Sequence, residues 1–296
     1  MSSPTHTEPS AIRVALIGAG QVGKMHGEAF ARLAPQVQVV AVADADEARA
    51  ASLAAACGAQ PYQDYHQALA LQPEAVVVSL PHHLHRQAGL AAAAAGCHIL
   101  MEKPLAPTLE ESQTIVDACQ QRGLRLAVGF VHRFRTEWGM AHRLLQKGDL
   151  GAPTMALDVF GMMGGGRLPP WVWRSRREGG GILMYSGVHS IDWQCWLLGS
   201  EVAEVFARST TQHPGSDAED SVAATLAFAN GCTGALLGNQ PDYLITPRTR
   251  EFELYGTRGR LRIRNGEYLE YSNDERAFRL EVSRENPFVL QAREFV

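Results

Sequence analysis

Residues 12–23 read Ile-Arg-Val-Ala-Leu-Ile-Gly-Ala-Gly-Gln-Val-Gly, an apolar run that stops at Gly18-Ala19-Gly20-Gln21-Val22-Gly23. A helical pattern follows at once, with Val22, Met25, Ala29 and Phe30 on one side. A strand that ends on G-x-G-x-x-G and opens a helix is suited to hold a pyrophosphate: Gly18 permits the tight turn, Gly20 lets the backbone approach the phosphates, and Gly23 lets helix and strand pack closely. The free N–H groups and positive dipole end of the helix add attraction. Asp44 closes the next apolar run, Val37–Ala43, 21 residues after Gly23. There a carboxylate accepts the ribose hydroxyls of an adenosine and repels a 2′-phosphate. Ala45 and Asp46 follow, with no Arg to receive that phosphate, so NAD is expected over NADP. The competing role for Asp44 is a cap on the helix expected at 46–57.

The elements that position these groups alternate strand and helix from Ile12 to about Val131. After the first two units come a short helix (64–71), a strand (75–80) that runs into Pro81-His82-His83-Leu84-His85, and an Ala-rich helix (87–95). A strand (98–101) then leads to Glu102-Lys103-Pro104, a helix (109–121) and a strand (125–131). Repeats of this length predict a doubly wound parallel sheet, an α/β Rossmann domain. Ligands of such sheets sit beyond the C-terminal strand ends, where Gly18, Asp44, Pro81, Lys103 and His132 are all expected. A linking helix (133–147) and a strand (153–160) follow, then a Gly/Met/Pro-rich loop (161–170) and Gly179-Gly180-Gly181 opening a helix (182–198). Segments 202–210, 219–229, 232–240, 250–256, 260–264, 267–272 and 277–282 read as strands, with Asn230-Gly231 and Asn265-Gly266 predicting type I′ hairpins. The expected division is a tail over 1–10, a Rossmann domain over 11–131 and an α+β domain over 132–296 with a large, mostly antiparallel open sheet. One sheet face should carry a helix; a second subunit, in a dimer or tetramer, is expected to cover the other.

The chain has 296 residues, 46% of them hydrophobic, with net charge −4, which gives no basic surface for nucleic acid or membrane lipid. Its five cysteines (57, 97, 119, 195, 232) form no C-x-x-C pair, as expected for a reducing compartment, here the cytoplasm. The start lacks a signal-peptide pattern, and no apolar run is long enough to span a bilayer.

Taken together, the glycine loop, Asp44, Pro81-His82-x-x-His85, Glu102-Lys103-Pro104, His132-Arg133, Gly179-Gly180-Gly181, Gly187-Val188-His189 and Asp192 resemble the glucose–fructose oxidoreductase / inositol dehydrogenase / rhizopine-catabolism (Gfo/Idh/MocA) family over residues 12–296. The resemblance implies NAD- or NADP-linked oxidation or reduction of a secondary hydroxyl or carbonyl on a sugar or cyclitol. Removing hydride from an alcohol requires a base for its proton. Lys103 suits that role, since partial burial beside a cationic ring makes an amine a better base. Glu102 orients it or balances its charge, and Pro104 fixes the backbone. His189 holds the reacting hydroxyl or shares the proton relay, and Asp192 lies three residues on, on the same helix face.

Pro81 and His82 are placed on the cofactor side with Gly18, Gly20, Gln21, Val22, Gly23, Asp44, Glu102 and Lys103. His85 reads as cofactor-side or structural with equal weight. His132, Arg133, Trp173, Tyr185, His189 and Lys103 are placed against substrate. The loop 162–174, with Gly164–Gly166, Trp171, Trp173 and several arginines, reads as a substrate gate or a solvated basic turn. The cluster His82, His83, His85 lacks a carboxylate or cysteine partner, and no metal is expected.

One residue departs from the family. Where catalytic members carry Asp four residues before the helix histidine, this chain has Tyr185, which can donate or relay a proton but is not an anion at neutral pH. Either Tyr185 shapes a different pocket, or Asp192 supplies the charge, or redox chemistry is weakened. Two further readings stay open: an NAD-dependent glycoside-cleaving relative, whose reaction the same pocket could serve, and a non-catalytic cofactor-binding sensor, which Tyr185 would suit. Residues 286–296 read as the start of a helix that family members continue.

Overall fold

The computed structural model describes residues 10–161, 172, 175–212, 214–240 and 249–296. The expectations for the tail before Ser10 and for the gate residues Gly164–Gly166, Arg167, Trp171, Trp173 and Arg174 lie outside them. The chain divides into two compact units, both of them discontinuous in sequence.

The first unit contains β1 (Ile12–Ile17), α1 (Gln21–Ala31), β2 (Val37–Ala43), α2 (Glu47–Cys57), β3 (Gln60–Tyr62), α3 (Tyr65–Leu69), β4 (Ala75–Val78), α4 (His85–Ala94), β5 (His98–Met101), α5 (Leu109–Gln120) and β6 (Leu126–Val128). The strands form one parallel sheet in the order β3-β2-β1-β4-β5-β6. The order reverses between β1 and β4, which makes their C-terminal ends the crevice of this topology. Both faces are covered. Along β1, Ala15 and Ile17 enter one core cluster while Val14 and Leu16 enter the other. That double burial is why the strands read as unbroken apolar runs rather than alternating ones. The short β3 was not anticipated; it adds only three residues at the sheet edge.

The second unit contains α6 (Thr136–Gln146), β7 (Pro153–Gly161), α7 (Val188–Leu198), β8 (Val202–Thr210), β9 (Ser221–Phe228), β10 (Thr233–Asn239), β11 (Thr249–Gly256), β12 (Gly259–Arg264), β13 (Tyr268–Asn273) and β14 (Ala277–Glu281). Its sheet runs β14-β13-β12-β11-β7-β10-β9-β8 and is antiparallel except for β7 against β10. Helices α6 and α7 cover one face, where Trp138 and Trp193 stack at 4.1 Å beside Phe252. The other face leaves Met155, Val159 and Leu237 exposed.

Three expectations are corrected. Gly231 and Gly266 have positive φ (86° and 81°), but Asn230 and Asn265 do not, so neither turn is type I′. Glu267 N–H donates to the Arg264 carbonyl across a turn with only its third residue left-handed, the type II pattern. The helix expected at 133–147 begins with a separate 3₁₀ turn over Val131–Phe134. The last helix, α8 (Pro287–Phe295), does not join the second domain as the 132–296 boundary implied; residues Phe288–Val296 belong to the first unit. Val289 and Ala292 are buried in the cluster that holds Val14, Leu16 and Phe30, with Phe288 and Phe295 packed against it. An apolar stripe at helical spacing has to be covered, and the first unit supplies the cover.

A buried charge lies under α7. Asp158 on β7 is fully buried, and its Oδ2 accepts the indole N–H of Trp193 at 2.5 Å. Burial pushes its carboxyl up to about 6, against the pull of Arg250 and the Trp193 hydrogen bond. Because the folded value lies above the unfolded one, the buried anion costs stability above about pH 6, and the cost fades as pH falls toward the ordinary carboxylate range. Asp158→Asn removes this dependence. The melting-temperature difference, variant minus wild type, should therefore fall by about 3 °C between pH 7.5 and pH 5; parallel melting curves would refute it.

Candidate active site

In the first unit the glycine loop leaves β1 with Gly18 at φ 103°. A Cβ on Gly18 would lie 2.5 Å from the Ser79 carbonyl oxygen, and one on Gly23 only 2.0 Å from the Gly18 carbonyl oxygen. A Cβ on Gly20 would meet nothing within 4 Å. Two glycines are thus demanded by the protein's own packing, while the third faces open space. Gly20 is also the N-cap of α1 and makes no side-chain cap bond, and Gln21, Val22 and Gly23 form the first turn. The helix N–H groups there are available to an anion, as pyrophosphate binding requires.

Asp44 follows β2 and ties this loop down. Its Oδ2 accepts the Ala19 N–H at 2.8 Å, and its Oδ1 accepts the Asp46 N–H and the Arg49 guanidinium, both at 2.9 Å. Burial pushes the Asp44 carboxyl up, but these donors outweigh it and hold it below the usual carboxylate range. The expectation of no arginine here is corrected. Arg49, on the first turn of α2, reaches back to Asp44 and also lies 3.6 Å from Asp46. The helix N-cap is Asp46, whose side chain accepts the Arg49 N–H, so Asp44 is not the cap.

Glu102 and Lys103 follow β5, on the same sheet edge as Gly18 and Asp44. Glu102 is buried; its Oε1 accepts the His26 Nε2–H at 2.9 Å and its Oε2 the backbone N–H of Lys103 at 3.2 Å. Burial pushes Glu102 up, yet His26 and the charge of Lys103 bring it below the ordinary value. Glu102 is therefore a fixed anion beneath a half-buried Lys103. The Lys103–Pro104 bond is cis. His85 is fully buried, with its ring nitrogens 2.9 Å from the Pro104 carbonyl oxygen and 2.8 Å from that of Leu80. Of the two readings of His85 these contacts favour the structural one, a post that ties the Lys103-Pro104 turn to the end of β4.

In the second unit, to which Pro81–His83 belong, His82 is buried and its Nδ1–H donates to the Gly179 carbonyl at 2.6 Å. Gly179 has φ 78°, and a Cβ there would lie 2.6 Å from the His82 Cβ. The expected helix over 182–198 starts with a π-helical stretch, Leu183–Gly187, before α7. Tyr185 lies on this stretch with its ring 6.3 Å from that of His82. Glu219 holds the start of the stretch: its Oε1 accepts the Leu183 N–H at 3.0 Å.

His132 and His189 are both buried, with ring centroids 4.4 Å apart and edge to face; Phe130 and Trp193 pack around them. Asp192 is directed at Arg133, with contacts of 2.5 Å and 3.0 Å across the two carboxylate oxygens. Burial raises its carboxyl against that pairing. Arg133 also lies over the rings of Phe130 and Trp196. Asp192 thus orients Arg133, a different task from charging His189. Trp173 lies outside the described residues. Among the described residues no three His, Cys, Asp or Glu side chains stand together as a metal site would need.

Sequence reasoning missed His26, Arg49 and Glu219. His26 had a signal, since it lies three residues after Gly23 on the helix side that faces the sheet. Arg49 lies one helical turn beyond Asp46. Glu219 had none, being 36 residues from the N–H it accepts.

Residues 12–130 match the model of an oxidoreductase family with an NAD-binding Rossmann fold, and residues 138–262 match the GFO/IDH/MocA C-terminal domain. D-glucoside 3-dehydrogenase of Escherichia coli is 33% identical over 244 residues, covering 75% of this chain and 68% of the relative. Inositol 2-dehydrogenase 4 of Saccharopolyspora erythraea is 34% identical over 226 residues, 74% of this chain and 64% of that protein. The crystal structure of GenD2 from gentamicin A biosynthesis, in complex with NAD, superposes with a TM-score of 0.84 at 25% identity, covering 100% of this chain and 88% of that one.

The glycine geometry separates folding from cofactor binding. Gly20→Ala should leave the melting temperature within about 2 °C and weaken NAD at least tenfold, because its Cβ meets only the space that the phosphates need. Gly23→Ala should lower the melting temperature by several degrees even without nucleotide. Thermal melts and NAD titration of both variants test this; equal effects on stability would contradict it.

Proposed function

The chain belongs to the Gfo/Idh/MocA oxidoreductase family, and we propose that it is an NAD-dependent dehydrogenase acting on a secondary hydroxyl of a sugar, cyclitol or related polyol. The observation that carries this reading is Lys103. It stands half-buried beyond the end of β5, on the edge that carries the glycine loop and Asp44, with the Glu102 anion beneath it. The named activities of the glucoside and inositol dehydrogenases supply the substrate class.

When bound, NAD supplies a hydride acceptor. The N-terminal turn of α1 holds the pyrophosphate and Asp44 the ribose of the adenosine. As the alcohol loses hydride its O–H proton has to leave, and the neutral Lys103 amine takes it at Nζ. The ammonium so formed stands beside Glu102, which compensates the new charge. His26 keeps Glu102 in place and ionised. His189, flanked by His132, binds a substrate hydroxyl through its ring; Tyr185 offers an O–H, and Arg133 is aimed by Asp192. Trp173 is assigned to the substrate side on sequence grounds alone.

A second copy of the chain is part of this reading, seated on the open sheet face at Met155, Val159 and Leu237. All five cysteines are free thiols, which suits the reducing cytoplasm. No helix among the described residues is long and apolar enough to cross a membrane.

The test is nicotinamide absorbance over a panel of sugars and cyclitols with NAD, for wild type and Lys103→Met. The wild type should turn over at least one of them. Lys103→Met should lose about 10²–10⁴-fold in kcat while its NAD affinity changes less than threefold. NAD binding without turnover across the panel overturns the dehydrogenase reading; an unchanged kcat in Lys103→Met overturns the role of Lys103.

A further inference from the structure

Strand β8 ends the eight-stranded sheet. One side pairs with β9, and no described strand pairs with the other. A free edge presents a row of backbone donors and acceptors, and natural sheets blunt such edges by shortness, proline, charged side chains, inward-pointing charge or bulges; of these β8 has only the charges of Glu204 and Arg208 and a bulge at its start. Here β8 is nine residues long, Val-Ala-Glu-Val-Phe-Ala-Arg-Ser-Thr, and is exposed throughout residues 203–210. Its register irregularity lies between Val202 and Glu204, which leaves 204–210 regular. In the middle stand two large apolar side chains, Val205 63% exposed and Phe206 72% exposed. They point to opposite faces because the side-chain period of a strand is two. A stretch exposed on both faces and along its edge is unlike β7, β9, β10, β11, β12 and β13, each of which buries residues of one face.

The charges around Phe206 say what fits there. Glu204 and Arg208 lie two residues before and two after it, so all three share one face. In an antiparallel pairing of two identical strands about a two-fold axis through Phe206, each residue faces the one equally far on the other side. Glu204 of one copy then stands opposite Arg208 of the other, and the arrangement occurs twice. The two Phe206 rings face each other as a cross-strand aromatic pair, and Val205 faces Ala207. Opposite charges and aromatic pairs at directly opposed positions both stabilise antiparallel strands. Neighbouring registers lose this. An axis through Glu204 sets glutamate against glutamate, one through Arg208 sets arginine against arginine, and one through Val205 sets Glu204 against Phe206.

We propose that β8 is a homodimer seam, in which two copies of this chain join edge to edge about Phe206 and their sheets become one continuous antiparallel sheet across the two-fold axis. The seam uses an edge rather than the open face, so it is distinct from the face-to-face contact of the functional reading and does not depend on it.

Sedimentation equilibrium on the full chain tests this through a charge swap. Glu204→Arg sets arginine against arginine twice, and Arg208→Glu sets glutamate against glutamate twice. Each should weaken one association step at least tenfold. The double variant Glu204→Arg/Arg208→Glu restores opposite charges in the same register and should return the dissociation constant to within threefold of wild type. In parallel, Phe206→Cys under mild oxidation should give a covalent dimer linked 206 to 206 by peptide mass spectrometry, with wild type as the control for the native cysteines. A wild type that stays a single chain throughout the concentration range, single reversals without effect, a double variant that fails to recover, or no 206–206 link would each overturn the seam. An assembly that survives all three charge variants unchanged leaves the face-to-face contact standing and removes this one.

Discussion

The Gly18 carbonyl oxygen lies 2.0 Å from where a Cβ on residue 23 would be, and much of the first unit follows from that approach. It sets α1 hard against the ends of β1 and β4, where Gly18 N–H donates to the Ala43 carbonyl and the Ser79 hydroxyl to the Gly18 carbonyl. Three strand ends are tied at one point, and the first N–H groups of α1 are left facing outward. The same closeness carries His26, one turn on, down to Glu102, so the helix that offers its dipole to phosphate also fixes the anion below Lys103. Phe288 of α8 then packs edge-on to the His26 ring at 5.0 Å. A larger residue at position 23 would disturb phosphate binding, the Glu102 anion and the seat of α8 together.

In the second unit a comparable constraint acts on the π-helical stretch Leu183–Gly187. A π turn is rare because it gives up regular i→i+4 bonding, and it persists where its surroundings hold it. Here both ends are held by side chains from outside the helix: Glu219, just before β9, accepts the Leu183 N–H, and Arg250 on β11 donates to the Ser186 carbonyl at 2.8 Å. Arg250 is itself buried against the rings of Phe160 and Trp193, within the field of Asp158. The wider turn changes the angular position of Tyr185 relative to the α7 residues that follow. That places its ring near His82 and makes the step from Tyr185 to His189 different from four residues of α-helix.

This explains what could be read from the sequence and what could not. The strands of the first unit were legible because burial on both faces leaves unbroken apolar runs, and the glycine loop because its spacing has few other uses. Lys103 was legible as a residue at a parallel-strand end. Its support was not: Glu102 looked like a partner for Lys103 alone, and nothing local says that His26 holds it. Asp192 was read as a companion of His189 from their helical spacing, which cannot reveal that Arg133, 59 residues away, pairs with it. The π stretch had no signal, since its cause lies in Glu219 and Arg250. The two Asn-Gly turns were found in place, but φ at the asparagine is set by strand geometry around the turn, which the dipeptide does not encode.

The acceptor count at Asp44 shows how a correct cofactor preference can rest on an incomplete premise. The absence of arginine was part of the sequence argument for NAD, yet Arg49 is there. A carboxylate has about four lone-pair directions. Ala19 takes one on Oδ2, while Asp46 and Arg49 take those on Oδ1. What remains is one direction on Oδ2, enough for a ribose hydroxyl to donate into. A 2′-phosphate can donate nothing there; it would have to draw Arg49 away from both Asp44 and Asp46 and then sit against the uncovered carboxylates. The arginine is held by the anion that repels the phosphate, so its presence strengthens the preference for NAD instead of weakening it.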